Sequence, residues 1–223
     1  MTVSLVIFDL DGTLIDSAAD LAHAVNAMLA AFGRAALPVS RVRGMIGDGM
    51  AKLVARALEA SALADVDPAE AQQVFLRSYA ADPLLETTAY PGASEALARL
   101  RAAGLPLAVC TNKPVRLAEI ILERLDLARF FARVIGGDSL PYRKPDPRIL
   151  QSLLRAFDVA PADALLVGDS EVDAATASAA GVPLVLMTYG YRREPVERMA
   201  CLAALDRFEA LPAMIATVAG RVS

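Results

Sequence analysis

The sequence predicts an α/β chain, a parallel-sheet core carrying a small inserted all-helical domain, and three observations carry that reading. Five short apolar runs, at residues 3–8, 107–110, 133–135, 165–167 and 184–187, are rich in branched side chains and bounded by turn formers. Continuous apolar runs of this length suit strands buried on both faces of a parallel sheet. Helical spacing fills the gaps between the later runs, which is the alternation of βαβ units. About ninety residues separate the first two runs, far more than one crossover requires, so a further unit is inserted there.

Taken in order, the first run ends at Asp9. In the insert, Ser17 with Asp20 resembles a capping box opening a helix with its apolar face at Leu21, Val25, Met28, Leu29 and Phe32, closed by Gly33. Gly47-Asp48-Gly49 leads into a helix over 50–60, and Asp67-Pro68 opens another with Val74, Phe75 and Tyr79 on it. The insert is expected over 17–84, with 1–16 and 85–223 as the core. Beyond it, a helix over 95–103 stops at Gly104. A helix over 115–125 shows Leu117, Ile120, Ile121 and Leu125 at helical spacing, and one over 147–157 starts at Pro147. Residues 174–191 carry no charge, but Gly181, Pro183 and Gly190 interrupt them. A helix end followed by a strand is expected, not a membrane span.

Composition narrows the partners. With 56% hydrophobic and 22% charged residues the chain can bury a full core. A net charge of -4 with no Lys/Arg cluster argues against nucleic acid or an anionic membrane surface. Cys110 and Cys201 are too few and too distant to suggest a disulfide framework or a zinc site. The first apolar run lacks a basic flank and stops at Asp9, so it is not expected to be a signal peptide, and a cytoplasmic protein is expected. His23, on the polar side of the first inserted helix, is expected to have a surface or packing role.

The residues that follow the apolar runs are the informative ones. Asp9 and Asp11 follow the first, Thr111 and Asn112 the second, Asp169 and Ser170 the fourth. In a parallel sheet those carboxyl ends share one edge, where α/β ligands bind. Several ionised carboxylates held together repel one another, and a hard cation with oxygen ligands is the usual resolution, with magnesium the natural candidate.

Asp9-Leu10-Asp11-Gly12-Thr13-Leu14 resembles the first motif of the haloacid dehalogenase-like phosphatases. Thr111 resembles the second, Lys144-Pro145 the third, and Gly168-Asp169-Ser170 with Asp173 the fourth, in the family's order. The resemblance implies a Rossmann-like core with a helical cap. It is greatest to the phosphoglycolate phosphatase branch, through Ile46-Gly47-Asp48-Gly49, Thr111-Asn112-Lys113-Pro114, Gly136-Gly137-Asp138 and Tyr189-Gly190-Tyr191. That branch usually has Asn just before the last motif Asp, where this chain has Val172.

The resemblance also implies roles. Asp9 is the nucleophile that forms an aspartyl-phosphate, and Asp11 is the general acid and base. Magnesium is held by Asp9, Asp169 and the backbone carbonyl of Asp11, and Lys144 adds a fixed positive charge. Leu10, Thr111 and Asn112 donate to the phosphoryl oxygens, while Ser170 and Asp173 support the site. Dehalogenases of this fold lack the second aspartate, so Asp11 points to phosphoryl chemistry. A small phosphorylated metabolite is the expected partner, with 2-phosphoglycolate first and sugar phosphates behind it. A carboxylate would be read from the cap by Arg43, the Gly47 turn and Lys52. A phosphomutase on the same scaffold and a non-catalytic binding protein are the competing readings.

Overall fold

The computed structural model describes residues 2–63 and 65–220. The chain enters through β1 (Leu5–Phe8) and a two-residue strand β2 (Ile15–Asp16). Four helices follow: α1 (Ala18–Ala31), α2 (Val39–Arg43), α3 (Met50–Ala60) and α4 (Pro68–Ala81). It returns through β3 (Thr88–Ala89), which pairs antiparallel with β2 as a stem. Then come α5 (Ala93–Ala102), β4 (Leu107–Cys110), α6 (Val115–Arg124), β5 (Arg133–Ile135), α7 (Arg148–Phe157), β6 (Ala164–Gly168) and α8 (Glu171–Ala180). The chain ends with β7 (Leu184–Met187), β8 (Ala203–Leu205) and α9 (Leu211–Ala219).

The main sheet runs β5-β4-β1-β6-β7-β8 and every pairing in it is parallel. Because successive strand residues face opposite ways, β1 serves two cores. Val6 and Phe8 join α5, α6, α9 and the inserted helices, while Leu5 and Ile7 join α7 and α8. Phe8 stacks on Phe208 and meets Phe131 edge-on, with centroids 6.1 and 6.0 Å away. Burial of such a side chain contributes about 2–3 kcal/mol.

The predicted α/β class and its five strand sites are present. Several elements and one helix cap differ from the expectation. β8, α2 and α9 were not expected, since β8 is short and only half-buried and α2 is a single turn of helix. The proposed Ser17–Asp20 capping box does not form, because both side chains have longer-range partners. The Ser17 hydroxyl donates to Asp11 Oδ1 at 2.5 Å. The Asp20 carboxylate instead accepts from the Glu86 and Thr87 N–H groups and from the Thr87 hydroxyl, the last at 2.6 Å. Asp20 thereby ties α1 to the returning linker. His23 is half-exposed, with Nε2 3.3 Å from Glu86 of that linker.

A buried carboxylate serving three donors is costly to remove, because the donors are then left dry and unpaired. Asp20→Ala is expected to lower unfolding stability by about 3 kcal/mol, read as a shift in denaturant midpoint at constant slope. A change within 0.5 kcal/mol, roughly that of an ordinary surface substitution, would show that the linker is held by something else.

Candidate active site

β1 lies between β4 and β6, so the chain winds away from it in opposite directions, and a crevice opens at the carboxyl ends of these strands. Asp9 stands directly after β1, Thr111 to Lys113 after β4, Asp169 and Ser170 after β6, and Tyr189 to Tyr191 after β7.

Lys144 is the hub of the acidic cluster. Its ammonium, only 1% exposed, lies 2.9 Å from Asp9 Oδ1 and 2.6 Å from Asp173 Oδ1. The other Asp173 oxygen accepts from the Asp169 and Ser170 N–H groups and from the Ser170 hydroxyl, completing a capping box at the start of α8. Asp169 accepts from the Thr13 hydroxyl at 2.8 Å and from the Tyr191 N–H at 2.6 Å. The Leu10 N–H donates to Asp9 Oδ1 at 2.7 Å. Glycine makes this crowding feasible. A Cβ on Gly12, whose φ is +85°, or on Gly190 would sit 2.4 or 2.3 Å from Asp169 Oδ2.

Oxygen atoms of Asp9, Asp169 and Asp173 lie within 4.8 Å of one another. One ammonium, paired with Asp9 and Asp173, stands against three carboxyl groups, and the imbalance appears in the protonation of Asp9 and Asp169. Burial pushes Asp9 up to about 7 and Asp173 pushes the same way, although Lys144 pulls it down. Asp169 is held well above the usual carboxylate range by burial and by its two acidic neighbours. Burial alone would lower the Lys144 ammonium, but Asp173 and Asp9 more than offset this and hold it charged. A buried all-oxygen donor set with excess negative charge fits a hard divalent cation. Cys110 lies beneath, its thiol pushed up to about 12 by burial, so no thiolate competes as nucleophile.

The crevice itself has a polar floor and an apolar roof. Asp9, Asp11, Thr111, Asn112 and Lys113 line the core side. Leu21, Ile46, Gly47, Gly49, Met50, Leu53, Phe75 and Tyr79 line the helical side. Asp11 accepts from Lys113 Nζ at 2.7 and 2.9 Å. Asn112 donates from Nδ2 to the carbonyls of Gly47 and Lys144, at 3.1 and 3.0 Å, so it fastens the inserted helices to the core. Arg193 strengthens that closure with Nη1 2.8 Å from Asp48.

The expected site residues divide accordingly. Asp9, Asp11, Leu10, Thr111, Asn112, Lys144, Asp169, Ser170 and Asp173 come together at this edge. Gly47 and Gly49 reach the crevice, but Gly47 turns its carbonyl to Asn112. Arg43 and Lys52 are not brought there. Arg43 donates to the Tyr189 carbonyl at 3.0 Å, stands 3.8 Å from Asp16 and covers the Tyr191 ring, and Lys52 is exposed on α3. The end of α2 faces the core loop rather than the crevice, which directs Arg43 to partners the linear sequence does not reveal. Lys113 and Tyr79 had been read only as part of a motif and as a core aromatic.

The edge thus joins a strand-end aspartate, its paired lysine and an acidic cluster beneath a helical roof. A family model of haloacid dehalogenase-like hydrolases matches residues 3–181, and the chain belongs to that family. Within it the chain falls in the phosphoglycolate phosphatase-like branch. It is 49% identical over 212 residues to a phosphoglycolate phosphatase of Rhodospirillum rubrum, covering 92% of this chain and 88% of that protein. A predicted phosphoglycolate phosphatase from Haemophilus somnus 129PT superposes with a TM-score of 0.91 at 31% identity, covering 96% of this chain and 98% of that one. CbbY from Rhodobacter sphaeroides, solved in complex with phosphate, gives a TM-score of 0.80 at 25% identity over 94% of this chain and 96% of that one.

The raised Asp9 value has a consequence for stability in metal-free protein. A carboxyl that moves from 3.8 to about 7 on folding takes up a proton across that window, so its contribution to stability falls as pH rises from 4 to 7. Asp9→Asn removes the penalised charge. In chelator at pH 8 the variant is expected to melt several degrees above wild type, the difference closing by pH 4, in thermal scans. A variant less stable than wild type at pH 8 would contradict the charge imbalance.

Proposed function

We propose that this chain is a magnesium-dependent phosphomonoester hydrolase that converts 2-phosphoglycolate to glycolate and phosphate through an aspartyl-phosphate on Asp9. The observation that supports this most is the placement of Asp9 at the end of the central strand, bonded to buried Lys144 and beside the crevice. The magnesium would be held by Asp9, Asp169 and the backbone carbonyl of Asp11, where it supplies positive charge against the nucleophile and the phosphoryl group.

A carboxylate approaching a phosphate dianion meets repulsion of about 8 kcal/mol at ~4 Å and an effective dielectric near 20. Lys144 offsets part of it and keeps the Asp9 oxygen oriented. The Thr111 hydroxyl and N–H groups at Leu10 and Asn112 are donors for the phosphoryl oxygens, and Ser170 and Asp173 hold Lys144 and the Asp169 loop in place. Asp9 attacks phosphorus, the ester P–O bond breaks, and Asp11 gives a proton to the departing glycolate oxygen. Asp11 then takes a proton from water, which attacks phosphorus and releases phosphate from Asp9. The relatives named phosphoglycolate phosphatases favour the two-carbon substrate, and the short crevice under an apolar roof agrees with a small molecule. A small phosphorylated metabolite and a cytoplasmic setting complete the reading. Among the described residues no helix is long and apolar enough to cross a membrane.

Chelation is expected to stop turnover and magnesium to restore it, with calcium a poor substitute because its coordination is larger and looser. Asp9→Asn should lose at least ~1,000-fold in kcat while remaining folded. Full activity in excess chelator, or a folded and active Asp9→Asn, would sink the mechanism. Asp11→Asn is expected to slow an alkyl ester far more than an aryl phosphate, whose leaving oxygen needs no proton. Equal losses in single-turnover assays would remove Asp11 as the acid, and a sugar phosphate turned over much faster than phosphoglycolate would overturn the substrate.

A further inference from the structure

Recognition of the substrate beyond its phosphoryl group has no partner in the machinery described so far, and Arg43 is turned away from the crevice. Among the described residues lining the crevice, Lys113 is the one cation. Its side chain is 3% exposed, with Nζ 2.7 Å from Asp11 Oδ1 and 4.8 Å from the centroid of the Tyr79 ring. Lys113 follows Thr111 and Asn112 directly, so a molecule whose phosphoryl group lies on those residues extends its tail past this ammonium. The facing wall is apolar, built from Leu21, Ile46, Met50, Leu53 and Phe75. A carboxylate there needs a counter-charge, since an unpaired charge against such a wall is strongly disfavoured.

A second group points the same way. The Tyr79 hydroxyl is buried with the Lys113 ammonium beside it, and its own O–H donates to no acceptor among the described residues. An ammonium can donate to that oxygen but cannot accept from it, so the buried O–H beside the crevice is a donor still open to an acceptor. Tyr79 belongs to α4 in the cap and Lys113 to the core, so one acceptor held by both would bridge the two parts.

Resting on the phosphatase reading above, we propose that Lys113 and Tyr79 form the specificity site, receiving the carboxylate of a short phosphorylated hydroxy acid. The Lys113 ammonium that pairs with Asp11 in this structure is shared with the substrate carboxylate in the complex, and the Tyr79 hydroxyl donates to the same group. Both residues are specificity-determining, and neither takes part in bond making or breaking.

The test compares wild type, Lys113→Met, Lys113→Arg and Tyr79→Phe. For each, kcat/KM is measured on 2-phosphoglycolate and on ethyl phosphate, which lacks the carboxylate. Inhibition constants are measured in parallel for 3-phosphonopropionate and propylphosphonate, the matching pair that is not hydrolysed. Lys113→Met should reduce the preference for the carboxylate member about 100-fold in both ratios, mostly through KM and Ki, with part of it kept in Lys113→Arg. Tyr79→Phe, which keeps the ring, should reduce it about fivefold. If wild type prefers the carboxylate compounds and Lys113→Met keeps that preference, the inference fails while the substrate reading stands. Equal losses on both members would leave Lys113 as a positioning residue for Asp11 and overturn the specificity site. A wild type without preference would overturn the substrate reading and this inference with it.

Discussion

The repulsion among three buried carboxyl groups, two of them paired with one lysine, is the constraint on which the active edge is built. Two like charges ~4 Å apart cost about 4 kcal/mol at an effective dielectric near 20, and Asp9, Asp169 and Asp173 are gathered within such distances. Only a rigid frame holds them there. The frame consists of the parallel strand ends, the N–H groups of Leu10 and Tyr191, the Thr13 hydroxyl and the capping box of α8. Gly12 and Gly190 are part of it as well, because any side chain at either place would occupy the space of the Asp169 carboxylate. What the frame leaves uncompensated is an excess of negative charge, and that excess is the affinity for a cation. A stable fold and a metal-binding edge therefore oppose each other locally, as is usual where strain or desolvation is concentrated at a functional site.

The helical insert acts on this edge through few contacts. Asn112 holds the Gly47 carbonyl from the core side, and Arg193 holds Asp48. The Tyr191 hydroxyl accepts from the N–H groups of Ser17 and Ala18 at the entry to α1 and donates to Asp16. The loop after β7 therefore orients Asp169 with one N–H and the base of the cap with one hydroxyl. The base of the insert and the acidic cluster therefore share one support.

Much of this was legible in the sequence because it depends on local pattern. The strands show as continuous apolar runs, and the acids show as polar residues that a buried strand end would otherwise reject. The parallel topology then brings them to one edge. What was not legible depends on side chains reaching across the fold. Asp20 has the spacing of a capping residue, yet its carboxylate bonds sixty-six and sixty-seven residues away, to Glu86 and Thr87. Arg43 has the chemistry to read a carboxylate, but the short helix α2 aims it at Tyr189 and Tyr191. Lys113 was obscured because a lysine after Thr-Asn is ordinarily solvated. Its burial follows only from Asp11 and from Tyr79, thirty-four residues earlier on the cap. β8 escaped because Ala203–Leu205 is short and half-exposed, and its strand character comes from pairing with β7.

The two buried lysines hold the two aspartates of one crevice in different electrostatic settings. Lys144 is shared by Asp9 and Asp173, so Asp9 receives only part of its charge, which under the proposed mechanism leaves it available to attack and to hold a cation. Lys113 is directed at Asp11 with both carboxylate oxygens in range, and Ser17 adds a third donor. If one lysine served both aspartates, any anion drawing on it would disturb Asp9 and Asp11 together. With two, an anion arriving at Lys113 changes the surroundings of Asp11 and leaves the Asp9–Lys144–Asp173 arrangement intact. Under the proposed reading, selection of the tail and attack on the phosphoryl group fall to separate charges, one following β4 and the other β5.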